Sequence, residues 1–279
     1  MTVTTRDEPV GTVVPDLPGL FTGTSGYAYG EWVDAGIYPP DTHAANMLHR
    51  YARSFRATEL NYTWYQMPRA GVMERMASQL PDDFRFAVKL TRTLTHEISS
   101  TAWHQEVQHF RQGIAPLVSR NRLLSILIQL PPYFRRTPDR RQYLANLMNA
   151  LAGLPLAVEF RHPSWANDRV FSELERRHIS LVTVDGPDLP YLFPRIDTVT
   201  NPGLFYLRLH GRNSRGWRSG SMQKQFDYGY EEPELRELAD TIRHTLMPEA
   251  ETGGIFFNNH VRGQAPKNCL RLKSILSSQ

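Results

Sequence analysis

Eight short runs of β-branched, aromatic and aliphatic residues recur along the chain, and a helical stretch follows most of them. That alternation is the pattern of a parallel sheet covered by helices. The runs centre on residues 20–24, 57–61, 84–89, 124–129, 156–160, 180–185, 205–209 and 254–258. Eight is the number that closes such a sheet on itself. The expected fold is α/β, a single (β/α)8 TIM barrel with parallel strands and a pocket at their C-terminal ends.

The intervening segments agree with that reading. Trp103, Val107, Phe110, Ile114 and Leu117 recur at three- to four-residue spacing, one face of a helix, with Ser99 to Thr101 available as caps. Further helices are expected near residues 42–55, 69–79, 138–152, 166–178, 232–246 and 264–276. After the sixth strand, Pro187, Pro190, Pro194 and Pro202 exclude a long regular helix. No Gly/Ser-rich linker or charge run divides the 279 residues. One domain over residues 19–279 is therefore expected, behind a flexible N-terminal tail of residues 1–18.

Composition narrows the setting. A single cysteine, Cys269, excludes an internal disulfide and a cysteine-built metal cluster and suits a reducing compartment, so the expected location is cytoplasmic. No stretch reaches the roughly 20 apolar residues of a membrane span, and no signal-peptide core precedes the first strand. Lys+Arg of 32 against Asp+Glu of 28 gives +4, spread along the chain. That excess is compatible with an anionic substrate or with nucleic acid and selects neither.

Strand phase locates the pocket, because side chains two apart share a face. One set is nearly all apolar and is expected to face the helices: Thr58 with Leu60, Phe86 with Val88, Ile126 with Ile128, Val158 with Phe160, Val182 with Val184, Leu207 with Leu209, and Ile255 with Phe257. The other set is polar toward the C-terminal ends: Ser25, Glu59, Asn61, Lys89, Gln129, Glu159, Arg161, Asp185, Arg208, His210 and Asn258. Burying several charges near a barrel axis costs several kcal/mol per ion, in round terms, unless each is paired or used. The second set is therefore expected to line a functional mouth.

Several local motifs are specific. They are Gly23-Thr24-Ser25-Gly26-Tyr27 with Trp32 and Tyr38-Pro39; Glu59-Leu60-Asn61-Tyr62-Thr63-Trp64-Tyr65; Lys89 with Thr95-His96; and Gln129-Leu130-Pro131-Pro132. Val158-Glu159-Phe160-Arg161-His162 with Trp165, Asp185, Arg208-Leu209-His210-Gly211, and Phe257-Asn258-Asn259-His260 with Gly263 complete the series. Together, and in this order from about residue 20 to 276, they resemble the YecE-like family, the domain of unknown function 72. The resemblance implies a TIM barrel and supplies no settled activity. Tyr27 stands where the family pattern leads one to expect tryptophan.

The mouth inventory sets Glu59, Glu159 and Asp185 against Lys89, Arg161 and Arg208, a balance of formal charge when His96, His162 and His210 are neutral. Adjacent strands 5 and 6 are expected to bring Glu159 near Asp185, and close carboxylates split each other's pKa values. The leading reading is an acid/base enzyme acting on a small anionic, phosphorylated or sugar-derived substrate. Its catalytic candidates are Glu159 as the proton carrier, Lys89 as oxyanion stabiliser or Schiff-base amine, Asp185 and Glu59. Its substrate-binding candidates are Ser25, Asn61, Tyr65, His96, Gln129, Arg161, His162, Trp165, Arg208, His210, Asn258 and Asn259, with Arg161 and Arg208 holding the anion in bidentate fashion.

Two alternatives stand beside it. Glu59, Glu159, Asp185, His162 and His210 are ligand types for a metal-dependent phosphodiester hydrolase, although no compact ligand motif accompanies them, and neither a resident cofactor nor a metal is assigned. The segment 211–232, with Arg212, Arg215, Trp217, Arg218, Lys224, Phe226, Tyr228 and Tyr230, reads either as a lid over the mouth or as a single-strand nucleic-acid platform. Oligomeric state is not legible.

Overall fold

The computed structural model describes residues 16–99 and 101–278. Its core is a closed barrel of eight parallel strands in chain order. They are β1 (Leu20–Ser25), β2 (Ala57–Leu60), β3 (Arg85–Lys89), β4 (Leu123–Gln129), β5 (Leu156–Glu159), β6 (Ser180–Asp185), β7 (Phe205–Leu209) and β8 (Gly253–Phe257). The ring closes where β1 pairs with β8, from Leu20 opposite Gly253 to Thr24 opposite Phe257.

Helices Ala44–Tyr51, Ala70–Ser78, Trp103–Ser119, Pro138–Ala150, Asp168–Arg176, Glu232–Thr241 and Gln264–Ser277 clothe the sheet. Their termini follow local chemistry. Pro138 opens its helix with a φ already suited to the first turn, and Thr137 accepts the Arg140 N–H. At the Trp103 helix the cap position falls on Ala102, and Ser99 Oγ accepts the Ala102 N–H at 3.3 Å; Ser100 lies outside the described residues. The proline-bearing segment between β6 and β7 forms no helix, as expected. Thr200 pins it instead, donating to the Ile179 carbonyl and accepting the Leu181 N–H, both at 2.7 Å.

Residues 1–15 of the expected N-terminal tail lie outside the described residues. Within its last three, the Asp16 carboxylate accepts from Thr22 Oγ1 and lies 3.5 Å from Lys273 Nζ.

Two apolar cores result. The larger lies between sheet and helices. The smaller fills the barrel with Ala57, Ala87, Leu124, Leu127, Ala157, Val182, Leu204, Tyr206 and Phe256. Alanines on β2, β3 and β5 leave room for Tyr206 and Phe256 from β7 and β8, so large and small side chains share one narrow interior. The polar groups sit on the layer above.

On β6 the phase differs from expectation. Val182 and Val184 pack inside the barrel, whereas Leu181 packs against the helices and Thr183 donates to the Ile196 carbonyl. Both faces of β6 accept β-branched residues because the lower barrel is itself apolar, so polarity alone misassigns the strand. Asp185 consequently leaves on the outer face, and the expected Glu159–Asp185 neighbourhood does not form.

Candidate active site at the C-terminal end of the barrel

Beneath the mouth lies a closed network of four charges. Arg208, on the inward phase of β7, donates Nε to Glu59 Oε1 and Nη2 to Glu59 Oε2, both at 2.8 Å, and Nη1 to Glu159 Oε2 at 2.5 Å. Glu59 also accepts from Ser25 Oγ and, at 2.6 Å, from Tyr206 Oη. Glu159 takes its second guanidinium from Arg161 Nε. Glu59, Glu159 and Arg208 are almost wholly buried. Burial alone would raise the Glu159 pKa, but Arg161 and Arg208 hold it well below the usual carboxylate range. A carboxylate fixed in its ionised form by two guanidinium groups is a poor proton carrier. In this arrangement Glu159 binds both Arg161 and Arg208, a geometry suited to holding those guanidinium groups in place.

Above this layer a cavity of about 710 Å³ opens, bounded among others by Tyr29, Asn61, Trp64, Tyr65, Lys89, His96, Gln129, Arg161, Arg208, Trp217, Phe226, Asn258 and His260. Lys89 reaches it from the end of β3 with its Nζ 5.2 Å from the centre of the Trp64 ring. Among the described residues, Lys89 has no carboxylate within ion-pairing distance. Burial, then the nearby Arg208, push its amine down to about 7, with the Glu159 and Glu59 charges only partly offsetting them. Burial also pushes His96 down to about 4, helped by Lys89 and Arg161, so it is neutral and Nδ1 accepts from Trp64 Nε1 at 3.3 Å.

Arg161 is the cation that turns toward the cavity. Its Nη2 lies 3.0 Å from His210 Nε2, and its guanidinium stacks over the Trp217 ring at 5.3 Å. A guanidinium can only donate, so His210 Nε2 faces Arg161 as an acceptor, while its Nδ1 lies 2.9 Å from Asn258 Nδ2. Burial and Arg161 push His210 down to about 3, which keeps it neutral.

Residues 211–230 fold over the opening as two short helices, Ser214–Arg218 and Met222–Gln225. Gly211 starts the turn with φ of +87°, where a Cβ would meet that of Tyr228 at 2.5 Å, so glycine is required. Trp217 and Phe226 point inward, with ring centres 6.3 and 5.8 Å from His210. Arg215, Arg218 and Lys224 are exposed. A single-strand platform needs cations and stacking rings on one face; here the rings close the cavity and the cations face solvent.

Asp185 anchors this lid. It accepts from Arg212 Nη2 at 2.7 Å, Arg195 Nη1 at 3.0 Å and Tyr230 Oη at 2.7 Å, outside the cavity. Trp165, His162 and Asn259 also stand apart from the cavity lining. Trp165 is buried between Phe134 and Phe160 and donates to the Phe134 carbonyl at 2.7 Å. His162 caps the following turn, accepting the Ser164 N–H at 3.1 Å. Asn259 holds the lid through the Tyr228 carbonyl at 2.8 Å. The five candidate metal ligands do not converge, since Asp185 and His162 leave the mouth and both glutamates are bound by arginine. No cluster of three His, Cys, Asp or Glu suited to a metal occurs among the described residues.

The family model described as "Protein of unknown function DUF72" matches residues 21–279. The chain belongs to the DUF72 family. Among solved structures, this DUF72 protein is similar to a DUF72 family protein, TM1631, of Thermotoga maritima, at 32% identity and a TM-score of 0.83 over 93% of this chain and 99% of that one. A DUF72 protein of Enterococcus faecalis, EF0366, matches at 25% identity and a TM-score of 0.83 over 93% of this chain and 96% of that one. By sequence it is 26% identical to the UPF0759 protein YunF of Bacillus subtilis, over 86% of this chain and 90% of that protein. The UPF0759 protein YecE of Escherichia coli is 30% identical over 52% of this chain and 50% of its own length.

Sequence reasoning passed over several residues of this DUF72 site. Tyr206 shares the inward phase of Arg208 and was readable from it. Tyr29, stacked on His260 with ring centres 4.5 Å apart, and Gln223 and Gln225 in the lid come from the segments between strands, where strand phase says nothing.

Proposed function

We propose that the barrel mouth binds a small anionic substrate and that Lys89 performs the acid–base step on it. The observation that carries the reading is the charge count once Asp185 is removed from the mouth. Two buried carboxylates, Glu59 and Glu159, are consumed by Arg208 and Arg161, which leaves Lys89 as a cation without a counter-ion among the described residues. Glu31, at the rim, is over a third exposed and faces His260 at 3.7 Å, so solvent screens it. A cavity with surplus positive charge favours an anion, and a lysine titrating near neutrality suits both halves of a proton transfer.

Arg161 supplies the anchoring charge-assisted hydrogen bonds from the guanidinium nitrogens that Glu159 and His210 leave free. Arg208, with its donors taken up by Glu59, Glu159 and Ser25, contributes field rather than a bidentate clamp. Asn61, Gln129 and Asn258 add neutral hydrogen-bonding groups suited to hydroxyl or carbonyl oxygens.

The test is the melting temperature of the purified protein against sulfate, phosphate, sugar phosphates, simple carboxylates, divalent chlorides and short oligonucleotides, since a ligand of the folded state raises it by mass action. A rise with a small anion that disappears in Arg161→Gln supports the reading. A rise confined to divalent ions or to oligonucleotides would overturn it.

A further inference from the structure

We propose that the substrates are anionic aldehydes or ketones and that Lys89 captures their carbonyl carbon as an imine. This rests on the anion-binding reading above and names its substrate class.

The chain has four lysines, Lys89, Lys224, Lys267 and Lys273. Their surroundings separate them. Lys224 and Lys267 are exposed. Lys273 is buried but is used structurally, with Nζ 3.0 Å from the Ser54 carbonyl and 3.5 Å from Asp16. Lys89 alone combines a cavity wall with the lack of a carboxylate partner among the described residues. Its nearest glutamates are spent on arginines, so among the described residues no carboxylate pairs with its ammonium form.

An amine kept free in an enclosed site is a nucleophile. The surroundings suit one electrophile in particular. Arg161 binds the anionic end of the ligand, the Trp64 face lies beneath Nζ, and the lid residues Trp217 and Phe226 close over the chamber. The Nζ lone pair adds to the carbonyl carbon, and one of its protons moves to the carbonyl oxygen. The second N–H proton leaves with that hydroxyl as water, which gives a carbon–nitrogen double bond and no change in oxidation state. The closed lid limits the return of water to it.

The experiment is reductive trapping. The full-length protein is incubated at neutral pH with pyruvate, glyoxylate or glyceraldehyde 3-phosphate and sodium cyanoborohydride, which reduces an imine to a stable secondary amine. Adducts are then mapped by peptide mass spectrometry. The expected result is modification of Lys89 at least tenfold faster than of Lys224 and Lys267 with one of these probes, suppressed by sulfate and absent in Lys89→Arg. Equal modification of the three lysines would overturn the proposal, and the unsubstituted protein suffices to read it. If sulfate still raises the melting temperature while no probe labels Lys89 preferentially, the imine fails and the anion site stands; if sulfate has no effect either, both fail.

Discussion

Arg208 and Glu59 form a two-point pair inside the barrel, Nε to Oε1 and Nη2 to Oε2, both at 2.8 Å, with neither side chain open to solvent. The pair does more than neutralise charge. It ties β2 to β7 across the barrel and, through Glu159, fixes the guanidinium of Arg161 at the cavity edge.

Because the network is desolvated, removing one partner leaves a buried charge without compensation. Arg208→Met is expected to lower unfolding free energy by roughly 3–5 kcal/mol, the usual cost of breaking a buried pair from one side. Urea denaturation measures it; a loss under about 1 kcal/mol, the range of exposed pairs, would contradict the network's rigidity.

Lys89 predicts a pH-dependent stability of defined sign. Its folded-state pKa, near 7, lies below the 10.5 of an unperturbed lysine, so between these values the unfolded chain holds the extra proton and folding stability from this group rises with pH. Below pH 7 the ammonium sits in the cavity wall with no carboxylate partner among the described residues. Lys89→Met is therefore expected to melt higher than the parent at pH 6, with the gap closing as pH rises toward 10. Equal melting temperatures at both ends would contradict the depressed amine.

Asp185 is expected to govern the lid rather than the chemistry. Asp185→Asn weakens its bonds to Arg195, Arg212 and Tyr230 together, and these hold both the 186–204 segment and the start of the lid. Trypsin should then cleave at Arg215, Arg218 or Lys224 several-fold faster while the barrel stays folded. An unchanged cleavage rate would show that the lid is held elsewhere, for instance by Asn213, which donates to the Lys224 and Asp227 carbonyls.

Sulfate binding offers an independent view of the same amine. A protonated Lys89 adds a cation to the site, so affinity should fall as pH rises through 7, where sulfate itself does not titrate. Titration calorimetry from pH 6 to pH 8.5 reads this directly, and a flat affinity would place Lys89 outside the anion site.

Much of this architecture was legible in the sequence because a parallel barrel imposes two simple periodicities. The eight strands stand within a residue or so of their expected centres, and the inward phase of β2, β3, β4, β5, β7 and β8 follows from apolar alternation. β6 failed where that signal degenerates: Val182, Thr183 and Val184 satisfy either face. One phase error carried Asp185 into the mouth and balanced a charge that is in fact unbalanced. Glu159 does lie on the inward phase, yet its two arginine partners could not be read from spacing. Trp165 and His162 follow β5 in sequence but turn away with the short 163–165 helix. Such turns depend on local capping, which strand phase does not report.

The state of the Lys89 amine is the point on which the account turns. Competitive acetylation with trace acetic anhydride across pH 5 to 11, resolved by peptide mass spectrometry, gives the titration of each lysine separately, with Lys224 and Lys267 as exposed references. The account predicts a Lys89 midpoint near 7, well below theirs. A Lys89 midpoint at about 10.4, the ordinary lysine value, would contradict the free amine and, with it, the proposed chemistry.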